Sequence, residues 1–160
     1  MNKTESRVGS IALGTIIVFL PLIGGLVSSF IAGDQMMSFD DMNKPMLAPP
    51  AWLFPVAWSI LYILMGIALL LMIRSKSKYK TGAICLFISQ LLMNYFWSPI
   101  FFNMQDYWLA FVVLVTMWTT TMLTAIVAWW VDRRASLLLL PLILWTTFAA
   151  YLNAGIAVLN

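Results

Sequence analysis

Five apolar runs, each long enough to cross a lipid bilayer, constrain this 160-residue chain more than any other feature. A helix needs about 20 residues, rising 1.5 Å each, to cross the hydrocarbon core. Because backbone N–H and C=O groups in lipid must pair within the segment, such runs form helices, and none shows the alternation of a β-barrel strand. The sequence therefore predicts an all-α integral membrane fold, one domain over residues 1–160. It is a five-transmembrane-helix bundle, with helices at about 11–32, 52–73, 82–102, 108–131 and 137–159.

The composition excludes several classes of function. The chain is 62% apolar and only 9% charged, whereas about a quarter of a soluble chain is charged. It has no His and a single Cys, Cys85, so neither an internal disulfide nor a Cys/His metal site is expected. The apolar runs carry no ionisable residue near their centres, which argues against proton pumps and most ion-coupled carriers. The chain also offers no conventional acid–base catalytic set.

The basic residues indicate how the chain is oriented in the membrane. Five spans place the termini on opposite sides. The N-terminal side carries eight basic residues, namely Lys3, Arg7, Arg74, Lys76, Lys78, Lys80, Arg133 and Arg134, and the other side carries only Lys44. By the positive-inside rule the N-terminus is cytoplasmic, whereas the C-terminus and the loop at 33–50 lie outside. A multi-pass protein of the plasma membrane is expected, since no targeting extension is evident, and the basic segment contacts lipid rather than nucleic acid.

The long connection at 33–50 and the polar residues within the spans are candidates for ligand binding. The connection has several apolar side chains and is interpreted as a folded lid. Lys44, its only base, is placed to meet an acidic group of a ligand. Asn94 and Asn153 lie within spans, so both amides must point into the bundle. They could join helices, contact a ligand, or do both.

Eight tryptophans are many for this length, and they divide into two groups. Those near helix ends are typical of the aromatic belt at the membrane surface. Trp58, Trp97, Trp118 and Trp145 are deeper, where an indole N–H needs an acceptor, so these rings should face the bundle interior. Their rings could form the wall of a pocket for a flat apolar ligand, or they could simply pack the core.

Three ordered motifs resemble those of the translocator protein and tryptophan-rich sensory protein family, TspO/MBR. They are "KPMLAPPAWLFPVAWSILY" at 44–62, "LLMNYFWSPIFF" at 91–102 and "PLILWTTFAAYLN" at 141–153. The chain departs from the family pattern where Ser98-Pro99 follows Trp97 and where a basic residue is missing near the C-terminus. The second departure argues against sterol binding.

The resemblance implies a five-helix bundle with a ligand cavity under the first loop. Family members bind porphyrins and are often dimers, so protoporphyrin IX is the expected ligand, a homodimer is a possible assembly, and no cofactor is obligatory. The implied wall of the cavity is Trp52, Trp58, Tyr62, Asn94, Trp97, Trp108, Trp145, Phe148, Ala149 and Leu152, with Ala48 and Pro49 at the lid hinge. Trp52 and Trp145 match family tryptophans proposed to act on bound porphyrin. Binding with stress sensing, passive transport, and light-dependent oxidative breakdown of porphyrin all stay open as functions.

Overall fold

The computed structural model describes residues 3–33, 39 and 41–160, with side chains described from Gly9 onward. Within these residues the chain forms five α-helices: α1 Lys3–Ala32, α2 Leu53–Arg74, α3 Lys80–Phe102, α4 Tyr107–Trp129 and α5 Arg133–Leu159. Each contains a segment long and apolar enough to cross a membrane. The predicted five-transmembrane-helix bundle is therefore confirmed.

Capping explains why α5 begins earlier than the sequence predicts. Helix α5 begins at Arg133, before the predicted start at 137, because the Asp132 carboxylate accepts a hydrogen bond from the Arg134 N–H, 2.9 Å away. A hydropathy window misses this start, since Arg133 and Arg134 are charged. In α2, Pro55 lies in the first turn, where a missing N–H costs little. The segment rich in proline therefore delays the helix without breaking it.

Small residues bring α1 close to α2 and α3. A side chain at Gly66 of α2 would strike the backbone carbonyl of Val18 on α1. On α1, Gly24 faces the ring of Tyr95 and Gly25 faces the ring of Tyr62. These glycines thus serve contacts within the bundle, which packs α1 against α2 and α3, and α4 against α3 and α5.

The two halves of the bundle differ in what fills them. The half that contains the end of α2 is packed with aliphatic, methionine and phenylalanine side chains, including Met65, Met72 and Phe87. The half under the long connection is aromatic, with Phe101 and Phe102 in its core. The aromatic half is the one that the sequence associates with ligand binding.

The described part of the predicted lid at 33–50 is fastened to α5. Phe39 is buried in the aromatic half of the core. The Asn43 N–H donates to Asn160 Oδ1 over 3.1 Å, and Asn160 Nδ2 donates to the Asn43 carbonyl over 2.9 Å. The Tyr151 hydroxyl donates to the Met46 carbonyl over 2.7 Å. These bonds close the loop over the end of the bundle where α5 ends. Residues 34–38 and 40, with two of the loop's acidic residues, lie outside the described residues.

A tight turn lies just before the predicted hinge. The Ala48 N–H donates to the Pro45 carbonyl over 3.3 Å, and Leu47 between them has a φ of 70°. Positive φ is costly for a residue with a Cβ. Ala48 closes this turn, Pro49 follows it, and both are half-buried. The backbone strain therefore falls at Leu47, immediately before the predicted hinge.

Candidate ligand site

A cavity of about 100 Å³ lies between α1, α2 and α3 in the aromatic half of the bundle. Four of the predicted wall residues line it together: Trp58, Tyr62, Asn94 and Trp97. Trp58 and Tyr62 lie one turn apart on α2, with ring centroids 5.5 Å apart, and Asn94 and Trp97 lie three residues apart on α3. The other lining residues are Leu22, Gly25, Leu26, Ser28, Ser29, Phe54, Pro55, Ser59, Ser98 and Phe102.

Asn94 is held by bonds to two other helices. The Tyr62 hydroxyl donates to Asn94 Oδ1 over 2.5 Å, and Asn94 Nδ2 lies 3.3 Å from the sulfur of Met117 on α4. Asn94 and Tyr62 are both buried. A thioether is a weak acceptor, so the amide keeps capacity to donate to a better partner. Asn94 is therefore an interhelical contact whose amide N–H group has only a weak acceptor at the cavity wall.

A second polar contact fixes Trp97. Its indole N–H donates to Asn153 Oδ1 on α5 over 3.0 Å, and Asn153 Nδ2 donates to the Tyr107 carbonyl at the start of α4 over 2.8 Å. Asn153 is 1% exposed. The predictions that both amides point inward and that the Trp97 indole finds an acceptor are confirmed.

A smaller space, of about 20 Å³, lies on the other side of Trp97, where Ala149 and Leu152 line it together with Phe39 and Asn153. Phe54, Trp97 and Phe102 line both spaces and so form a partition between them. Pockets for drug-sized ligands usually enclose roughly 300–1,000 Å³. The site is therefore too small for such a ligand in this structure, and a large ligand would require the partition and the loop to move.

Trp145 and Phe148 lie beside this pair of spaces and line a groove between α2 and α5. The Trp145 ring meets Phe54 and Trp58 edge-on, with centroids 6.0 and 6.5 Å apart. Its indole N–H is buried and has no hydrogen-bond partner within the part of the chain that the structure describes. A buried donor without a partner costs free energy, so Trp145 has an unused N–H next to the cavity wall.

Trp52 and Trp108, which were also predicted to form the wall, are 65% and 57% exposed and line neither space. Trp52 comes just before α2, and Trp108 lies two residues before the buried Ala110 on α4. At about 100° per residue, two positions differ by about 200°, so Trp108 faces away from the bundle. Trp118 also misses the cavity, since its indole donates to Thr147 Oγ1 on α5 over 2.9 Å.

Several residues that line the cavity were not predicted from the sequence to be part of it. Ser28, Ser59 and Ser98 line the cavity, and Phe54 and Phe102 close its inner side. The signal for the serines is their position inside apolar helices, where a hydroxyl needs an acceptor: Ser28 Oγ donates to the Tyr95 carbonyl over 2.6 Å, and Ser59 Oγ to the Pro55 carbonyl over 2.7 Å.

Comparison with known proteins assigns the chain to one family. A model of the TspO/MBR family matches residues 17–159. The chain is 38% identical over 141 residues to a tryptophan-rich protein TspO of Chlorobaculum tepidum, covering 86% of this chain and 89% of the relative. It is 34% identical to a protein of the same name from Archaeoglobus fulgidus, covering 85% and 89%. It is also 31% identical to the translocator protein of Sus scrofa, covering 84% and 82%.

Proposed function

Since the chain belongs to the TspO/MBR family and is a multi-pass membrane protein, we propose that it binds a flat, porphyrin-like tetrapyrrole in the cavity between α1, α2 and α3. The site enlarges when the ligand enters. Family membership supports the fold and the place of the site. The ligand class rests on the chemistry of the lining residues.

The observation that carries the proposal is an aromatic wall interrupted by one amide. Trp58, Tyr62 and Trp97 line the cavity together with Asn94. Aromatic rings attract another flat π-system through stacking and edge-to-face contacts, and they bury a large apolar area. A pyrrole nitrogen can meet the Asn94 amide, whose Nδ2 is paired only with a sulfur in the described chain. Such a wall favours a large planar ligand over an acyl chain, which gains nothing from ring stacking.

Binding requires a movement of the loop and a route by which the ligand enters. The loop must release its bonds from Tyr151 and Asn160, so that Phe39 can leave the core. The cavity also reaches the surface between α1 and α2, because its lining residues Leu26 and Pro55 are exposed. A hydrophobic ligand dissolved in the bilayer can therefore approach through the gap between these two helices.

The test is quenching of tryptophan fluorescence in purified protein titrated with protoporphyrin IX in the dark. We compare wild type with Asn94→Ala and Trp58→Phe, and we use Trp130→Phe as the matched control. Trp130 is 67% exposed at the opposite end of the bundle, so its loss removes an indole without touching the cavity.

We expect saturable quenching that both cavity variants weaken and that Trp130→Phe leaves at the wild-type affinity. Loss of the buried amide contact should reduce the affinity about five- to tenfold, the equivalent of about 1–1.5 kcal/mol. Quenching that never saturates, or an equal affinity in all four proteins, would show that the rings only pack the core.

A second candidate function, light-dependent oxidative breakdown of the bound porphyrin, is favoured by the ring series Trp145–Trp58–Tyr62. Bound porphyrin would be the photosensitiser and would be oxidised, dioxygen would be reduced, and Trp145 would relay an electron. Trp52 has no described contact with these rings. If Trp145→Phe binds porphyrin normally but forms less product under light and air, breakdown is supported; unchanged product formation rejects a role for Trp145.

A further inference from the structure

A groove of about 360 Å³ lies between α4 and α5, at the opposite end of the bundle from the candidate ligand site. Met122, Ala125 and Trp129 of α4 and Ser136, Leu140 and Ile143 of α5 line it. Its floor is narrow because small residues meet there: Ser136 Oγ donates to the Ala125 carbonyl over 2.7 Å. From Trp129 back to Met122 the groove runs along about 10 Å of helix, which suits an extended hydrocarbon chain.

The mouth of this groove is aromatic and basic. The Arg133 guanidinium lies over the ring of Trp129, 5.1 Å from its centroid. Trp130, at the end of α4, also lines the groove and is 67% exposed. Asp132 pairs with the neighbouring Arg134 over 3.0 Å. Arg133, which contacts the Trp129 ring and takes no part in the Asp132–Arg134 pair, is thus the cation at the mouth of the groove.

The connection between α2 and α3 adds further positive charge at this end. Ser75 Oγ donates to the Val131 carbonyl and Ser77 Oγ to the Trp130 carbonyl, both over 2.9 Å. These bonds fasten the lysine-rich segment 74–80 to the turn that joins α4 to α5. Residues 75–80 and 130–134 together contain five basic residues and one acidic residue.

We propose that the α4/α5 groove binds one anionic phospholipid. An acyl chain lies along the groove, and the phosphate meets Arg133 at its mouth, with the two indoles at the level of the headgroup. Charge complementarity selects this occupant, since a phosphate neutralises a surface rich in cations. A second copy of the chain in the same orientation would bring two basic surfaces together, which costs free energy. A zwitterionic lipid fits the groove equally well but supplies no net charge.

The test is retention of lipid by delipidated protein in detergent, measured by native mass spectrometry during titration with dioleoyl phosphatidylglycerol or dioleoyl phosphatidylcholine. Arg133→Gln removes the charge at the mouth. Its matched control is Arg74→Gln, which removes the same charge beside Gly14 on α1. Leu140→Trp fills the groove from its lipid side, where Leu140 is 47% exposed, and Leu92→Trp makes the same change at a comparably exposed position on α3.

We expect wild type to bind phosphatidylglycerol about fivefold more tightly than phosphatidylcholine, the effect of one basic residue near a headgroup. Arg133→Gln should abolish this preference, and Leu140→Trp should reduce retention of both lipids, whereas Arg74→Gln and Leu92→Trp should match wild type. Equal affinity for the two lipids overturns the proposal. So does an equal effect of Arg74→Gln and Arg133→Gln, which would indicate general attraction by charge. If Leu140→Trp retains lipid like wild type, the groove does not hold the acyl chain.

Discussion

Tyr62 on α2 donates a hydrogen bond to the amide oxygen of Asn94 on α3, with 2.5 Å between the two oxygens, and both side chains are buried. The bond joins two helices that have few other contacts with each other. Because both residues also line the larger cavity, a single contact links the stability of the bundle to the shape of the candidate site.

We predict that Tyr62→Phe lowers both stability and affinity for protoporphyrin IX. The change leaves Asn94 Oδ1 buried without its donor, which costs about 1–3 kcal/mol. Thermal unfolding in detergent measures the loss, and dark titration of tryptophan fluorescence measures the affinity. The control is Tyr79→Phe, since Tyr79 is 47% exposed and lies at the other end of the bundle. An unfolding temperature equal to that of Tyr79→Phe would show that the bond adds no net stability.

Gly66 and Gly82 give a matched pair for the packing of α1 on α2. A Cβ at Gly66 would collide with the Val18 backbone, whereas a Cβ at Gly82 on α3 meets nothing within 4 Å. We expect Gly66→Ala to destabilise the protein by about 1–3 kcal/mol, because backbone cannot move aside as a side chain can. Gly82→Ala should stabilise it by up to about 1 kcal/mol, through helix propensity alone.

Unfolding by denaturant, monitored for both alanine variants, checks this prediction. Its decisive feature is the opposite sign of the two effects, because both variants make the same chemical change inside a helix. Similar stability of the two variants would contradict the close approach of α1 to α2.

Asp132 makes part of the stability depend on pH. The side-chain hydrogen bond from Arg134 lowers the pKa of the Asp132 carboxyl below its ordinary value. A lowered pKa in the folded state means that the contribution is complete above the ordinary pKa of about 3.9 and is lost as the pH falls through the lowered value. We expect the unfolding temperature of wild type to exceed that of Asp132→Asn at neutral pH. The difference should shrink in acid, and a gap that stays constant across the acid range would contradict this linkage.

The sequence predicts the five helices well because crossing a bilayer is a strong constraint that hydropathy reports directly. It predicts the inward direction of Asn94 and Asn153 for the same reason, since a buried amide in lipid needs a partner. Both are among the least exposed polar residues.

The direction of the apolar and aromatic side chains could not be predicted in the same way. Lipid and protein interior are both apolar, so a helix such as α4 carries no clear polar face to mark its outer side. Trp108 thus has the composition of a wall residue but faces outward. The partition formed by Phe54, Trp97 and Phe102 depends on how α2 and α3 meet, which no local pattern records.

Lys44 provides a test that separates the charge of the ligand from its shape. Its ammonium lies over the ring of Phe39, 4.8 Å from the centroid, and Phe39 is buried in the aromatic half of the core. A porphyrin carboxylate at the rim would attract this ammonium and so help to release the loop.

We expect Lys44→Ala to weaken binding of protoporphyrin IX about threefold to tenfold, because a charged hydrogen bond at a partly exposed site is lost. It should leave binding of the dimethyl ester, whose rings are the same but carry no acid, within about twofold of wild type. Parallel dark titrations of both ligands decide the matter: an equal loss for acid and ester would mean that Lys44 acts on the loop alone and contacts no carboxylate.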